Sequence, residues 1–398
     1  MAIKIFFCYA REDEALLNKL KAHLRPLQRQ GLINLWHDRD ISAGTEWERE
    51  IDKHLNTADF ILLLVSPDFM DSEYCYSVEM KKATERNERG EARVIPIILR
   101  PVYWKVDALS KLLVLPKDAR PVTDWANQDT AFYDITVGIE KAIDGWLGLD
   151  NYPETAARAI RKCYCQLGDT ELNQLGVPAP ISSSEAIQLE SGRGTKGFKR
   201  AFTKGAIYWS GSGNAYPVYG PIGYLYHQRT DIANRLGFPM AGVLQALDSP
   251  QKTQGLFQRF EGPWDYPENI NMTPAQRCGA TVYWSEYGTY ETWGGIGEYY
   301  ESEGGTSSFL GFPTTSEKEA APSSYETKGY YQHFEGGVVF WCEKYGSIPV
   351  VEPIATIYDR FNGTSGRFGF PKFEEVQSAD HPGIRFQEFE GGVICVAP

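Results

Sequence analysis

Five short apolar runs alternate with helical patterns in the first 148 residues of the chain. The helical spacing is clearest at Leu16, Leu20, Leu24 and Leu27, which recur along one helix face. Each apolar run is nearly continuous, as in strands that are buried on both faces of a parallel sheet. The predicted strands are residues 3–9, 32–36, 60–65, 93–99 and 119–123.

The helices between these strands complete an α/β pattern. Thr45 and Glu48 form a capping box for a helix that runs to about Thr57, and further helices are predicted over residues 71–89 and 129–146. Strands that alternate with helices predict a flavodoxin-like, doubly wound domain with a five-stranded parallel sheet in the order 2-1-3-4-5.

That strand order also predicts where a ligand binds. In an open parallel sheet, ligands lie outside the carboxyl ends of the strands, where the strand order reverses. Here those ends are residues 8–11 and 66–68, and Glu79 lies on the helix that leaves the second of them. The polar loop of residues 38–44 leaves the neighbouring strand at the same edge.

A motif ending in Gly-x-Pro recurs four times after residue 149. An Ile and a Tyr at positions i and i+4, which share one helix face, precede each copy, and a Gly-rich hairpin beginning with Phe follows it. The Gly-x-Pro sequence ends the helix sharply. The four copies begin at Leu175, Leu236, Leu310 and Phe368, and the pairs are Ile160/Tyr164, Ile222/Tyr226, Ile296/Tyr300 and Ile354/Tyr358.

A period of roughly 60 to 75 residues is typical of a repeat architecture. One such unit cannot bury its apolar face alone, so the four units should pack on one another, and a four-bladed, propeller-like ring is the predicted arrangement. Only 6 of the 38 glycines precede residue 149. We therefore expect one α/β domain over residues 1–148 and a mostly β repeat domain over 149–398, which starts with a helix near 153–168.

Composition narrows the possible partners and the cellular compartment. The formal net charge is −12 and neither half is basic, which argues against nucleic acid or an anionic membrane as a partner. No apolar run is long enough to cross a bilayer, and the N-terminus lacks the pattern of a signal peptide. Seven scattered cysteines without zinc spacing indicate free thiols in a reducing, cytoplasmic setting.

Three segments of the first half resemble a known family. The segments are IFFCYAREDE (5–14), WHDRDISAG (36–44) and SPDFMDSEYCYSVEM (66–80). They resemble, in order and at suitable spacing, the three conserved boxes of Toll/interleukin-1 receptor (TIR) domains, and the resemblance covers roughly the first 145 residues. It implies cleavage of NAD⁺ at the nicotinamide–ribose bond, with or without cyclisation of the ADP-ribose, and it places the catalytic carboxylate at Glu79.

The resemblance also implies the residues around the substrate. Relatives usually carry Trp where this chain has Cys75, so the aromatic wall near the ribose would come from Tyr74 or Tyr76. The loop of residues 38–44 corresponds to the family's usual self-association element. The remaining residues implied for the substrate pocket are Tyr9, Ala10 and Arg11 along the nicotinamide-ribose and Trp36, Arg39, Asp40, Ile41 and Gly44 in its wall.

A lone carboxylate suits this chemistry. Nicotinamide leaves NAD⁺ from a cationic pyridinium, and the transition state resembles the oxocarbenium ion of glycoside hydrolysis. A carboxylate stabilises that developing positive charge. We therefore expect no metal and no cofactor, and NAD⁺ is the substrate. The alternative is that Glu79 is an ordinary surface residue paired with Lys81 or Lys82.

The repeats of the second half resemble the LGFP repeats of actinobacterial envelope proteins, which are taken to bind cell-wall glycans. Gly192, Gly194 and Gly197 form a literal G-x-G-x-x-G, but no strand-turn-helix surrounds it, so we interpret it as a repeat loop. Cys163 and Cys165 lie at i and i+2 on a helix, where their side chains diverge from a common metal.

Three hypotheses follow from the sequence. The first is a cytoplasmic NAD⁺ glycohydrolase of the bacterial immune, antiphage type, which self-associates and whose repeat half senses an unknown activating ligand or serves as an oligomerisation platform. The second is a non-enzymatic TIR adaptor that recruits partners through residues 38–44. The third is a glycan-binding repeat protein.

Overall fold

A computed structural model describes most of the chain. The described residues are 2–36, 47–72, 79–105, 109–179, 186–211, 213–262, 279–379, 381 and 383–397. They form two compact units, the first comprising Met1–Asn173 and Pro178–Ala186 and the second comprising Gln174–Val177 and Ile187–Pro398. The boundary predicted after residue 148 therefore falls inside the first unit.

The first unit is an α/β layer structure. Among its described residues, four parallel strands are ordered β2-β1-β3-β4, as the first four strands of the predicted order require. The elements are β1 (Ile3–Cys8), α1 (Glu14–Arg29), β2 (Ile33–Trp36), α2 (Trp47–Thr57), β3 (Phe60–Val65), α3 (Pro67–Asp71), α4 (Met80–Glu88), β4 (Arg93–Ile98), α5 (Gln128–Leu147), α6 (Glu154–Gln166) and α7 (Asp169–Leu175), which continues into the second unit.

Burial explains the continuous apolar runs. All six residues of β3 are buried, because helices cover both faces of the sheet. On α1, Leu17, Leu20, Leu24 and Leu27 are buried, so Leu17 rather than Leu16 begins the core stripe.

The prediction of a fifth strand over residues 119–123 is wrong. Asp118 and Ala119 have φ of 61° and 51°, which an extended strand does not allow, and short 3-10 turns occupy this region. Leu115 instead makes a single parallel bridge to Ile97 of β4. Pro116 follows it without an N–H to donate, so the bridge does not extend into a strand.

The proline inside β4 is accommodated because this strand lies at the sheet edge. The carbonyl of Pro96 accepts a hydrogen bond from Leu115 on the side away from β3. The missing N–H of Pro96 therefore faces the edge and not the ladder with β3.

The described residues of the second unit form four antiparallel sheets. Its elements are β5 (Ile187–Glu190), β6 (Lys196–Ala201), β7 (Gly205–Trp209), β8 (Ala215–Tyr219), α8 (Gly220–Gln228), α9 (Thr230–Leu236), β9 (Leu244–Gln245), β10 (Leu256–Phe260), β11 (Ala280–Ser285), β12 (Gly288–Trp293), α10 (Gly294–Ser302), β13 (Lys318–Ala320), β14 (Gly329–Phe334), β15 (Gly337–Cys342), β16 (Gly346–Val350), α11 (Ile354–Arg360), β17 (Val376–Gln377), β18 (Arg385–Phe389) and β19 (Gly392–Val396). Each sheet is counted below as one repeat together with the helix that follows it, so the first repeat comprises β5 to β8 and the helix that carries Tyr226 and His227.

Hydrophobic clusters join successive sheets of this unit. One cluster combines residues of the first and second sheets with α8 and α9, another joins the second and third sheets through α10, and a third joins the third and fourth sheets through α11. This stacking explains why the apolar face of each repeat needs its neighbour. A propeller-like ring is not confirmed.

Hydrogen bonds hold each Gly-x-Pro motif at the end of the central strand that follows it, an arrangement called the repeat lock below. The motif tyrosines Tyr226, Tyr300 and Tyr358 donate to the carbonyls of Gly237, Gly311 and Gly369, at 2.7, 2.6 and 2.6 Å. A carboxylate accepts the N–H of the residue after each glycine: Glu261 from Phe238, Glu335 from Phe312 and Glu390 from Phe370, at 3.1, 2.6 and 2.9 Å. In the first copy, the hydroxyl of Thr203 accepts from Val177 at 3.1 Å.

Glycine is required inside this lock. Gly311 has φ of 65°, and a Cβ built there would lie 2.2 Å from Oε2 of Glu335. A side chain at this position would therefore strain the backbone and displace the carboxylate.

The G-x-G-x-x-G segment is part of the repeat. Ser191 N–H donates to the carbonyl of Thr195 at 2.9 Å, and the same turn recurs from Ser249 to Thr253 and from Ser323 to Thr327, at 3.0 Å each. The glycines between residues 192 and 197 thus belong to a repeat turn, in agreement with the interpretation as a repeat loop.

Replacing Glu335 by Ala should destabilise the second unit by about 1–3 kcal/mol, because the N–H of Phe312 and the hydroxyl of Thr253 both lose their acceptor. Urea denaturation of the full chain measures the change. Glu319→Ala, an exposed position on β13, is the matched control and should lie within about 0.5 kcal/mol of wild type. Equal effects of the two substitutions would contradict the lock.

A histidine in the first repeat predicts a pH-dependent stability. Burial, with Lys199 adding to it, lowers the pKa of His227 to about 4. The folded state therefore holds a neutral imidazole, and its contribution is complete above the unfolded pKa of about 6.5 and is lost as the pH falls towards 4. We expect His227→Gln to reduce the loss of stability between pH 7 and 5, measured by urea denaturation, whereas His381→Gln at an exposed position leaves it unchanged.

Candidate functional site at the carboxyl edge of the parallel sheet

A polar network joins the segments that leave β1, β3 and β4 at their carboxyl ends. Asp13, only 1% exposed, accepts hydrogen bonds from the hydroxyl of Ser66 and from Nε of Arg100, the latter at 2.8 Å. Arg100 also pairs with Asp68, and the hydrogen bonds that the guanidinium donates to Asp68 and Asp13 raise its pKa. Two carboxylates and one guanidinium therefore hold three strand ends together.

Ser66 of this network also precedes α3, the short helix at the beginning of the segment that leads to Glu79. The hydroxyl of Ser66 accepts from the N–H of Phe69 at 3.1 Å and so caps α3. The sequence patterns single out neither Asp13 nor Arg100 as a site residue. Their separation of 87 residues leaves no local signal.

Glu79 immediately precedes α4 and is only 6% exposed. The next residue, Met80, packs in the same hydrophobic cluster as Ala10 at the end of β1. The start of α4 therefore packs on the same face of the sheet as Ala10. At this exposure Glu79 is not the solvent-exposed residue that the alternative interpretation assumes.

The structure also describes four other residues of the predicted site, which are Tyr9, Ala10, Arg11 and Trp36. Trp36, at the end of β2, packs against the cluster and stacks on Phe6 with ring centroids 5.3 Å apart. Tyr9 and Ala10 are buried at the end of β1, whereas Arg11 is exposed to solvent. The structure thus brings Ala10, Trp36 and the start of α4 to one face of the sheet.

Sequence reasoning missed one aromatic partner of Trp36. His54 of α2 stacks on the indole with ring centroids 4.1 Å apart. The helical position of His54 on α2 is visible in the sequence, but nothing local indicates which strand end it would meet.

Several predicted site residues lie outside the described part of the chain. The assignment of substrate contacts to them stays a prediction. They are Arg39, Asp40, Ile41, Gly44, Tyr74 and Tyr76, together with the capping residue Thr45.

The described residues contain no group of histidine, cysteine and acidic side chains arranged to hold a metal ion. Within the same residues, no helix has the length and apolar character needed to cross a membrane. Cys8, Cys163, Cys165 and Cys342 are buried and form no disulfide, and burial raises the pKa of Cys163 and Cys165 to about 12. Thiols with such a pKa stay protonated at neutral pH and are weak nucleophiles.

The fold and the edge site together define an α/β domain with a buried carboxylate at the carboxyl end of a parallel sheet, followed by stacked β repeats. Residues 5–132 match the family model of the TIR domain, and residues 310–366 match that of the LGFP repeat. The chain therefore carries a TIR domain followed by LGFP-repeat sequence.

A relative is known from a curated protein set. An uncharacterized protein of Sinorhizobium fredii, y4lF, is 48% identical over 138 residues, a match that spans 35% of this chain and 43% of the relative. The similarity thus covers less than half of either protein.

Proposed function

We propose that the TIR domain cleaves NAD⁺ at the nicotinamide–ribose bond and that Glu79 is the catalytic carboxylate. The observation that carries this proposal is the burial of Glu79 at the start of α4, inside a TIR domain and on the face where β1 and β2 end. Tyr9, Ala10 and Trp36 would contact the substrate from these strand ends, while the contacts from residues 39–44 and 74–76 are part of the same proposal.

The proposed step needs no metal and no cofactor besides the substrate. The pyridinium nitrogen takes both electrons of the C1′–N bond as neutral nicotinamide departs, and the ribose acquires oxocarbenium character. Glu79 stabilises that positive charge and hydrogen-bonds the ribose hydroxyls. Water then adds at C1′ and loses a proton to give ADP-ribose, or an internal nucleophile of the ADP-ribose closes a cyclic product.

In this proposal the LGFP-type repeats of the second unit sense an activating ligand or hold copies of the chain together. The enzyme acts in the bacterial cytoplasm as part of an immune response to phage, and self-association through the TIR domain completes its active site. Activity should therefore rise more steeply than linearly with protein concentration.

Nicotinamide release from NAD⁺ by the purified full chain tests the proposal. The assay covers a concentration series, and mass spectrometry of the products separates ADP-ribose from a cyclic isomer. Release that exceeds the spontaneous rate and depends on Glu79 supports the enzyme. Absence of release at every concentration, together with persistent self-association, would overturn the enzyme and favour the adaptor.

A further inference from the structure

A cavity of about 230 Å³ opens in the first repeat of the second unit. It lies between the sheet of β6 and β7 and the helices α8 and α9. Lys199, Tyr208 and His227 lie on its polar side, which Glu190 also lines, and Leu189, Tyr226 and Phe238 form its apolar side. The proposed NAD⁺ chemistry does not use this space, and of the repeat lock only Tyr226, Gly237 and Phe238 reach its wall.

Three of these residues, Lys199, Tyr208 and His227, supply one positive charge and two neutral hydrogen-bonding groups. The hydroxyl of Tyr208 and Nε2 of His227 are 2.9 Å apart, and the lowered pKa of His227 keeps the imidazole neutral at pH 7. Nζ of Lys199 lies over the ring of Tyr208, 5.7 Å from its centroid. When the imidazole donates to Tyr208, the phenol keeps its own O–H for a ligand.

The other repeats show that packing does not require a lysine here. By strand register, the position of Lys199 beside Tyr208 corresponds to Phe257 beside Tyr283 and to Tyr331 beside Phe340. Those rings stack on their neighbours with centroids 6.0 and 5.8 Å apart. An aromatic side chain thus fills this position in the second and third repeats, whereas the first repeat has a lysine.

The position of His227 departs as well. The residue after the motif tyrosine is Glu301 in the second repeat, where it accepts from the hydroxyl of Tyr283 at 2.6 Å and pairs with Arg259 at 3.4 Å. In the first repeat the corresponding group is a neutral imidazole. Compared with the second repeat, the first repeat has a neutral group in place of a carboxylate and an ammonium in place of an aromatic ring. Both differences favour an anion in the cavity.

We propose that this cavity binds a small organic carboxylate, with the carboxylate at Lys199 and Tyr208 and the apolar body against Tyr226 and Phe238. Lys199 is the only lysine or arginine among the described residues that line the cavity, so the charge matches a monoanion better than a phosphate. Glu190 also lines the cavity, but its side chain is exposed and its carboxylate lies 4.0 Å from Nζ of Lys196. Its charge is therefore screened from the cavity by solvent.

Titration of the full chain with benzoate, phenylacetate and cinnamate, each against its neutral amide, tests the proposal by ligand-observed NMR. We expect at least one acid to bind, and to bind about tenfold more tightly than its amide. Lys199→Phe introduces the residue of the second repeat, so the chain should fold while the acid no longer binds. Lys328→Ala, the exposed equivalent of Lys196 in the third repeat, should leave binding unchanged.

A second variant separates loss of charge from loss of space. Lys199→Met keeps the aliphatic stem, so acid and amide should bind equally weakly. The proposal is overturned if none of the three acids binds at ligand concentrations up to about 10 mM. It is also overturned if the amides bind as well as the acids, or if Lys199→Met keeps the preference for the acid. Binding here does not need an active TIR domain, so this proposal and the proposed NAD⁺ cleavage fail independently.

Discussion

Replacing Glu79 by Gln should lower nicotinamide release by about 100-fold to 1,000-fold, the usual effect of removing one electrostatic contact to a transition state. The amide keeps the size of the side chain but not the negative charge that stabilises the oxocarbenium ion. Because the charge acts mainly in the transition state, the loss should appear in kcat more than in KM. Steady-state kinetics of the full chain at a concentration where wild type is active measures both constants.

The matched control lies on α4, the helix that Glu79 immediately precedes. Glu88 is exposed near the end of α4, so Glu88→Gln removes the same charge without touching the crevice and should keep wild-type rates. The Glu79 variant should also self-associate as wild type does. An active Glu79→Gln variant would remove Glu79 from the mechanism, and a variant that is inactive only because it fails to associate would assign Glu79 to assembly.

Replacing Arg161 by Leu should destabilise the first unit by about 3–5 kcal/mol. This guanidinium is only 2% exposed and bonds Asp144 at 2.6 and 2.7 Å and Glu140 at 2.6 Å, so the substitution leaves two neighbouring carboxylates without their cation. For a unit of this size, the melting temperature of the corresponding transition should fall by roughly 10 °C. Differential scanning calorimetry of the full chain resolves it from the second unit.

Arg158→Ala on the same helix is the control. Arg158 pairs with Glu154 at the surface, where an ion pair contributes about 0.2–1 kcal/mol. Burial already raises the pKa of Asp144, and Arg161 opposes that rise. Without Arg161 this pKa should rise further, so the Arg161→Leu defect should shrink as the pH is lowered and Asp144 is protonated. A defect that does not depend on pH, or one equal to that of Arg158→Ala, would contradict the charge argument.

The site was only partly predictable. The crevice at the ends of strands one and three follows from the strand order, and the order follows from the alternating elements. The network of Asp13, Ser66 and Arg100 does not, because its members are far apart in sequence and each has an ordinary local role as a helix or loop residue. The stack of His54 on Trp36 is hidden for the same reason.

Four of the five strands predicted from the sequence and the four-fold repeat are present in the structure. The sequence determined them because apolar periodicity, Gly-x-Pro turns and β-prone runs act between near neighbours. Only the tertiary structure decided where such elements pack. It placed α6, whose Ile160 and Tyr164 carry the repeat pattern, with the first unit, where Arg161 pairs with α5 and Tyr164 meets Trp146. Several helical arginines and lysines could have made that ion pair, and three-dimensional packing, which carries no local signal, selects one of them.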